Sequence, residues 1–291
     1  MTVYGSGIDV SRYQGSVDFN RVAMSGKSFV IARAVSSSGG VYIDPTFNTN
    51  IANAQAAGLR TGAYYFTYAT STAYADSEIA LLLEALEGKQ LQYPVFIDVE
   101  ASSIISIGRE ALTQLVLYAL KKITAAGYLA GVFTYADYAE QWLDMAQLAA
   151  YPLWLSDYDG VINFPDSYDM LQYSDTGVVD GVTGKVDLDV SYTDFLPTIL
   201  QQGLNGYAAG GTPVEMTSAA GLSLTVFGSK NCQYFYTANV NDIVGTLPHG
   251  TYPAVQQSVG CYGGFSWVTI QFEGKVYWTA LLSDRCYLIK T

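Results

Sequence analysis

Five apolar runs of strand length, each followed by a run of helix length, fill the first 150 residues and limit the possible folds more than any other feature. Residues 7–10 precede a short helical stretch at 19–24. Residues 28–35 precede a helix near 47–57, closed by Gly58. Residues 61–66 precede a helix carrying Ile79, Leu82, Leu83 and Leu86 at i, i+3, i+4 and i+7, with Gly88 as its stop. Residues 93–100 precede a helix carrying Leu112, Leu115, Val116, Ala119 and Ile123, with Gly127 as its stop, and residues 131–135 precede a helix around 139–149. The helices then cease, and 153–155, 169–173 and 186–190 read as three further strands. Alternating strands and helices predict an α/β fold with a parallel sheet, and eight strands favour closure into a TIM-like barrel.

The fourth strand ends in two acids, Asp98 and Glu100. Side chains alternate faces along a strand, so the pair shares a face with Cα atoms roughly 6.5–7 Å apart. At that spacing one acid can protonate a leaving oxygen while the other supports developing positive charge. Barrel active sites lie at the C-terminal ends of strands, which places the pair on the functional rim. Asp9 on the first strand and Asp187 on the last are expected beside them, because a closed barrel makes those strands neighbours. Like charges at close range raise at least one pKa and prepare a carboxylic acid to donate a proton. Loop capping and pairing with Arg33 are the structural alternatives for each acid.

The barrel region contains neither His nor Cys, which argues against zinc and against Ser-His-Asp or Cys-His catalysis. Calcium or magnesium is the remaining use of clustered acids. No metal and no other cofactor is expected. Residues 38–40 have the glycine of a phosphate loop but neither its spacing nor its lysine. The net charge is −12, without a run of Lys or Arg, which argues against nucleic acid and anionic membrane surfaces as partners. The 24 tyrosines offer stacking faces and hydroxyls together, a surface suited to sugars. Residues 1–5 lead directly into a strand, so no signal peptide is read here, and release to the cell wall is expected by lysis or another route.

In order along the chain, residues 7–15 (GIDVSRYQG), 62–66 (GAYYF), 94–100 (PVFIDVE), 152–158 (PLWLSDY), 171–174 (LQYS) and 184–190 (GKVDLDV) resemble glycoside hydrolase family 25, the Chalaropsis-type lysozymes. The resemblance implies a flattened barrel of five β/α units followed by three strands. It implies an N-acetylmuramidase acting on the β-1,4 bond of peptidoglycan, with bacterial cell wall as partner. Glu100 would be the general acid/base, Asp98 would orient the substrate's 2-acetamido group, and Asp9 and Asp187 would tune the network. Arg33, Tyr64, Tyr65, Phe66, Tyr135, Trp154, Tyr158, Gln172 and Tyr173 would contact substrate. Two positions depart from many relatives. Tyr65 stands where His is common, and Leu171 where Trp is common; both are expected to touch substrate and to bear on glycan preference. A silent glycan-binding protein and a hydrolase of chitin-type glycans are the alternatives.

Residues 1–200 are read as the catalytic domain, 201–212 as a linker rich in Gly, Gln and Ala, and 213–291 as an all-β domain. In the last, residues 267–272 alternate, Glu273-Gly274 makes a turn, and Lys275 begins the return strand. With residues 245–252 this hairpin resembles bacterial SH3-like wall-binding modules. Trp267 and Tyr252 are candidate wall-binding residues, with Trp267 expected on the face opposite Val268, Ile270 and Phe272. Cys232, Cys261 and Cys286 are the only cysteines and His249 the only histidine. An odd count leaves at least one thiol free, and buried thiols are the favoured reading.

Overall fold

The computed structural model of the protein describes residues 3–160, 162, 164–207, 216–227, 232–235, 243–262, 265–282 and 285–290. The chain divides into two compact units, Met1–Ala209 and Gly210–Thr291. No helix among the described residues is long and apolar enough to cross a membrane.

The first unit runs β1 (Gly5–Val10), α1 (Phe19–Met24), β2 (Phe29–Ser36), β3 (Tyr42–Ile43), α2 (Phe47–Ala56), β4 (Arg60–Phe66), α3 (Thr72–Leu86), β5 (Val95–Asp98), α4 (Arg109–Ala125), β6 (Ala130–Tyr135), α5 (Ala136–Trp142), α6 (Met145–Leu148), β7 (Leu153–Ser156), β8 (Met170–Gly177), β9 (Val186–Ser191) and α7 (Leu196–Gln202). Local chemistry starts the helices. Asp18 caps α1 by accepting from the backbone N–H groups of Asn20 and Arg21, and Ser71 caps α3 by accepting from Tyr74. The sheet order β1-β9-β8-β7-β6-β5-β4-β2, with β1 paired to β2, closes an eight-stranded barrel; β3 is a short addition to β2.

Neighbouring strands are parallel from β1 through β2, β4, β5, β6, β7 and β8. The last strand breaks the expected parallel pattern: β9 is antiparallel to both β8 and β1. A short connection permits this, because antiparallel strands need no crossover helix. The reversal brings the start of β9, with Asp187, to the rim where the other strands end.

Alternation sorts the side chains into two cores. Ile8, Val10, Val30, Ala32, Tyr65, Val95 and Ile97 face outward into the layer beneath the helices. Phe29, Ile31, Tyr64, Phe96, Phe133, Trp154 and Met170 point inward and fill the barrel. Glycine makes room for these rings: a Cβ at Gly7 would lie 2.3 Å from the Phe29 ring, and one at Gly131 would lie 2.7 Å from Phe96.

Helices do not cease after residue 150, and the region expected as linker is in part structural. The α7 side chains Leu196 and Ile199 are buried, and Ile199, Phe195 and Tyr207 seal the barrel floor. Tyr207 Oη accepts from Gln92 Nε2 at 2.5 Å. Asn205, at φ 55°, is fully buried. Its Nδ2 donates to the carbonyls of Leu91 (3.2 Å) and Tyr93 (2.8 Å), and its Oδ1 accepts from Leu129 N (2.8 Å). Residues 201–207 therefore belong to the barrel unit; 208–212 lie outside the described residues. Asn205→Ala is expected to lower unfolding free energy by about 2–4 kcal/mol, since it orphans three buried backbone groups and puts a Cβ with no side-chain bond into the left-handed region. Urea denaturation checks this, and an unchanged midpoint would deny the clasp.

The helix expected at 139–149 is two helices. Leu143 is extended, its carbonyl accepts from Arg109 Nε (3.0 Å), and Asp144 N donates to Thr113 Oγ1 (3.0 Å), so α4 side chains pull the chain out of helical geometry.

The second unit contains β10 (Met216–Ser218), β11 (Leu222–Val226), β12 (Cys232–Phe235), β13 (Ile243–Leu247), β14 (Gly250–Tyr262), β15 (Phe265–Phe272), β16 (Lys275–Ala280) and β17 (Cys286–Lys290). Seven strands follow the order β13-β12-β16-β15-β14-β11-β17, and β10 pairs with β14. The β15–β16 turn has positive φ at Glu273 (49°) and Gly274 (76°), with Phe272 opposite Lys275, the two-residue hairpin geometry that suits strand twist. Trp267 is not exposed. It is 1% accessible and packs against Phe235, Phe265 and Trp278, because β15 buries both faces rather than one. Tyr252 is half-buried and donates to the Pro248 carbonyl at 2.7 Å. Cys232 and Cys286 are buried free thiols; the side chain of Cys261 lies outside the described residues.

Candidate active site

A pocket of about 260 Å³ opens at the C-terminal rim of the barrel. Its lining includes Asp9, Asp98, Glu100, Asp187, Arg33, Tyr64, Phe66, Tyr135, Trp154, Tyr158 and Gln172. Each comes from the inward parity of its strand or, for Glu100 and Tyr158, from the same parity two residues past the strand end. Asp9 and Asp187 are direct partners in the β1–β9 register.

Gln172 organises one wall. Its Nε2 donates to Asp9 Oδ2 at 2.8 Å, and its Oε1 accepts from Tyr158 Oη (2.5 Å) and Ser156 Oγ (3.1 Å). Both hydroxyls donate to the amide oxygen, which leaves the amide nitrogen facing Asp9. Arg33 holds the other wall. It is buried and does not pair directly with the four acids; its Nε donates to Asp44 Oδ2 at 2.9 Å. Arg33 Nη2 lies 2.8 Å from the same oxygen at an angle that makes it an ion pair rather than a hydrogen bond.

The electrostatics follow from burial. Asp9 is raised well above the carboxylate range by burial, then by the charges of Asp189 and Asp187, against the Gln172 hydrogen bond. Asp98 is raised by burial and by Glu100, while Arg33 lowers it. Burial pushes Glu100 up to about 7; the Tyr135 hydrogen bond opposes the rise and the Asp187 charge adds to it. Burial and Asp175 lift Asp187 to about 6, and Asp9 opposes the rise. Groups this close titrate as a set, and they cannot all ionise near neutrality.

The structure adds one acid that the sequence reading passed over. Asp189 is fully buried, and its Oδ1 accepts from Trp154 Nε1 at 3.0 Å. Its Oδ2 has no hydrogen-bond partner among the described residues, and the same is true of Asp98 Oδ1. Asp189 shares parity with Asp187, so the signal was present. The antiparallel run sets it one step deeper, opposite Gly7. Burial first, then Asp187, raises its pKa, while Trp154 and Lys27 lower it. Asp189→Leu is expected to cost about 1–3 kcal/mol by orphaning the Trp154 N–H. Asp189→Asn keeps the acceptor and is expected to melt at or above the wild-type temperature at pH 7. Equal losses in both variants, read by calorimetry, would show that the hydrogen bond is not what Asp189 supplies.

Three expected substrate contacts lie elsewhere. Tyr65 is 1% accessible and faces the helical layer, as does Leu171, so neither departure from the family pattern reaches the pocket. Tyr173 is exposed on the parity opposite Gln172 and does not line the pocket. Trp154 and Phe133 form the pocket base, their rings 4.5 Å apart at an interplanar angle of 62°.

A closed barrel whose rim carries paired acids flanked by aromatic rings has the make-up of a glycoside hydrolase. Residues 8–182 match the family model for glycosyl hydrolases family 25, and the chain belongs to that family. It is similar to an autolytic lysozyme of Clostridium acetobutylicum, 34% identical over 187 residues, or 63% of this chain. The chain spans about half, 54%, of that relative's length. Among solved structures it resembles the CTP1L endolysin (25% identity, TM-score 0.57, 67% of this chain and 69% of that one). It also resembles the bacterial lysozyme of Streptomyces coelicolor (25% identity, TM-score 0.55, 72% of this chain and all of that one).

Proposed function

We propose that the barrel hydrolyses the β-1,4 bond between N-acetylmuramic acid and N-acetylglucosamine in peptidoglycan. The observation that carries this reading is the pair at the end of β5: Glu100, two residues past the strand, half-buried with its carboxyl raised to about 7, and Asp98, buried with an unpartnered oxygen. A carboxyl that titrates near 7 holds a proton for a leaving oxygen at neutral pH and gives it up at low cost. The pair titrates together, and the competent arrangement has the proton on Glu100 with Asp98 as the anion. Arg33 favours that arrangement because it lowers Asp98.

The substrate's acetamido oxygen attacks C1 from its own sugar while the C1–O bond breaks. Glu100 gives its proton to the departing oxygen. Asp98 accepts a hydrogen bond from the acetamido N–H, whose positive charge grows as the ring forms. Water then attacks C1 as Glu100 takes a proton from it, the bond between C1 and the acetamido oxygen breaks, and the acetamido group is restored. Asp9, Asp187 and Gln172 hold the remaining wall, and Tyr135 and Tyr158 offer sugar-facing rings at 6.0 Å from one another.

The all-β unit is proposed to hold the enzyme on the wall. The SH3-like pattern of residues 245–252 with the β15–β16 hairpin supports this role. The fate of Trp267 moves its ligand contacts to other side chains.

Reducing ends released from purified peptidoglycan test the proposal. Wild type is expected to generate them and Glu100→Gln is not. Wall binding by both without new reducing ends would assign the barrel to glycan binding instead.

A further inference from the structure

One cation beside the pocket-lining Tyr13 has no acid to pair with among the described residues. Arg12 sits on a single 3₁₀ turn between β1 and α1, next to pocket-lining Tyr13. Its guanidinium carbon lies 5.2 Å from the Tyr13 ring centre and 5.1 Å from that of Tyr42. Among the described residues no carboxylate lies within ion-pair distance of it. Asp44 is the nearest carboxylate by connectivity, and its oxygens are already engaged. Oδ2 accepts from Arg33 Nε and from the Arg12 backbone N–H, and Oδ1 accepts from Thr46.

The turn is rigid. Ser11 and Gln14 form a reciprocal capping box, with Ser11 N donating to Gln14 Oε1 at 2.9 Å and Tyr13 N donating to Ser11 Oγ at 3.3 Å. Tyr13 is 73% accessible although it borders a pocket. An exposed guanidinium braced by two rings keeps its fork oriented, so little side-chain freedom is lost when it binds. Planar bidentate recognition of a carboxylate is the use that such a fork serves best.

The opposite side of the pocket has the reverse charge. A second crevice shares Tyr135 and Tyr158 with the pocket and is lined by Asp137, Glu140, Asp157 and Asp159. In a chain of net charge −12, an anionic branch on the glycan is repelled there and drawn toward Arg12.

We propose that Arg12, braced by Tyr13 and Tyr42, is the subsite for a carboxylate of the peptide stem borne by the muramic acid residue. This inference rests on the peptidoglycan reading above and assigns its charge specificity. Neutral glycan would fill the pocket without engaging Arg12, whereas stem-bearing glycan would engage both.

Calorimetric binding of a soluble disaccharide-peptide, compared with the same ligand with its peptide carboxyl groups amidated, tests it on the full chain without requiring turnover. Wild type is expected to bind the free-acid ligand about five- to tenfold more tightly than the amidated one. Arg12→Gln is expected to abolish that preference, and Arg12→Lys to keep part of it, since charge survives but the fork does not. About 0.5 M salt is expected to erase the wild-type preference and leave Arg12→Gln unaffected. Equal affinities for the two ligands in the wild type, or an equal loss on both in Arg12→Gln, would overturn the assignment. A hydrolase that cuts a different glycan bond is recognised separately, from the ends of its products.

Discussion

Glu100→Gln is expected to lower kcat by about two to four orders of magnitude, the span that a positioned general acid supplies. The amide keeps the shape of the side chain and its contact with Tyr135 but carries no proton to give. Glu100 is only half-buried, so the melting temperature is expected to stay within about 2–4 °C of wild type. The wild-type pH profile follows from the same residue. With its carboxyl raised to about 7, Glu100 is protonated below that value, so kcat/KM is expected to fall as pH rises through about 7. A profile flat to pH 9, or full turnover in Glu100→Gln, would remove it from the acid role.

Asp98→Asn is expected to lower kcat/KM by about a hundredfold or more while making the protein harder to unfold. The activity loss reflects the exchange of an anion for a neutral amide where the acetamido N–H gains positive charge. The stability gain follows from linkage. The folded pKa of Asp98 is raised above its unfolded value of about 3.9, so its favourable contribution is complete below that pH and is lost as pH rises through the folded value. Asparagine does not titrate and escapes the loss. The difference in unfolding free energy is expected to be near zero at pH 4 and to reach about 1–2 kcal/mol in favour of the variant at pH 7. Denaturation at the two pH values checks this. A variant less stable than wild type at pH 7 would mean that Asp98 is held by a contact the burial picture lacks.

These two residues were legible because strand parity survives translation into structure without knowledge of the partners. The same parity held further information. Tyr64 and Phe66 point inward, which already sends Tyr65 outward, and Gln172 inward sends Tyr173 to solvent. Asp189 shares a face with Asp187 for the same reason. What the residues could not state was direction. Nothing local in 186–191 distinguishes a strand running up from one running down, and that reversal determines which acid reaches the rim and which is buried against Trp154. The floor was hidden for a different cause. The segment from Leu196 to Tyr207 is short and rich in Gln and Gly, and its order comes from tertiary contacts such as the Asn205 clasp rather than from helix propensity. Trp267 misled because alternation implies a solvent face only when a sheet has one, and β15 has core on both sides.

The stability of such a site runs against its chemistry. Three carboxyl groups, Asp9, Asp98 and Asp189, are almost entirely removed from water; Arg33 lowers the pKa of Asp98 and Lys27 that of Asp189. The apolar barrel floor and the Asn205 clasp offset that cost from below, and the Arg33–Asp44 pair with the Gln172 network fixes the walls.

Mass spectrometry of borohydride-reduced fragments from purified peptidoglycan tests the central claim most directly. Reduced N-acetylmuramic acid at the new ends, formed by wild type and absent with Glu100→Gln, is the predicted result. Reduced N-acetylglucosamine at those ends would contradict it, because the same barrel would then be cutting the other bond of the strand.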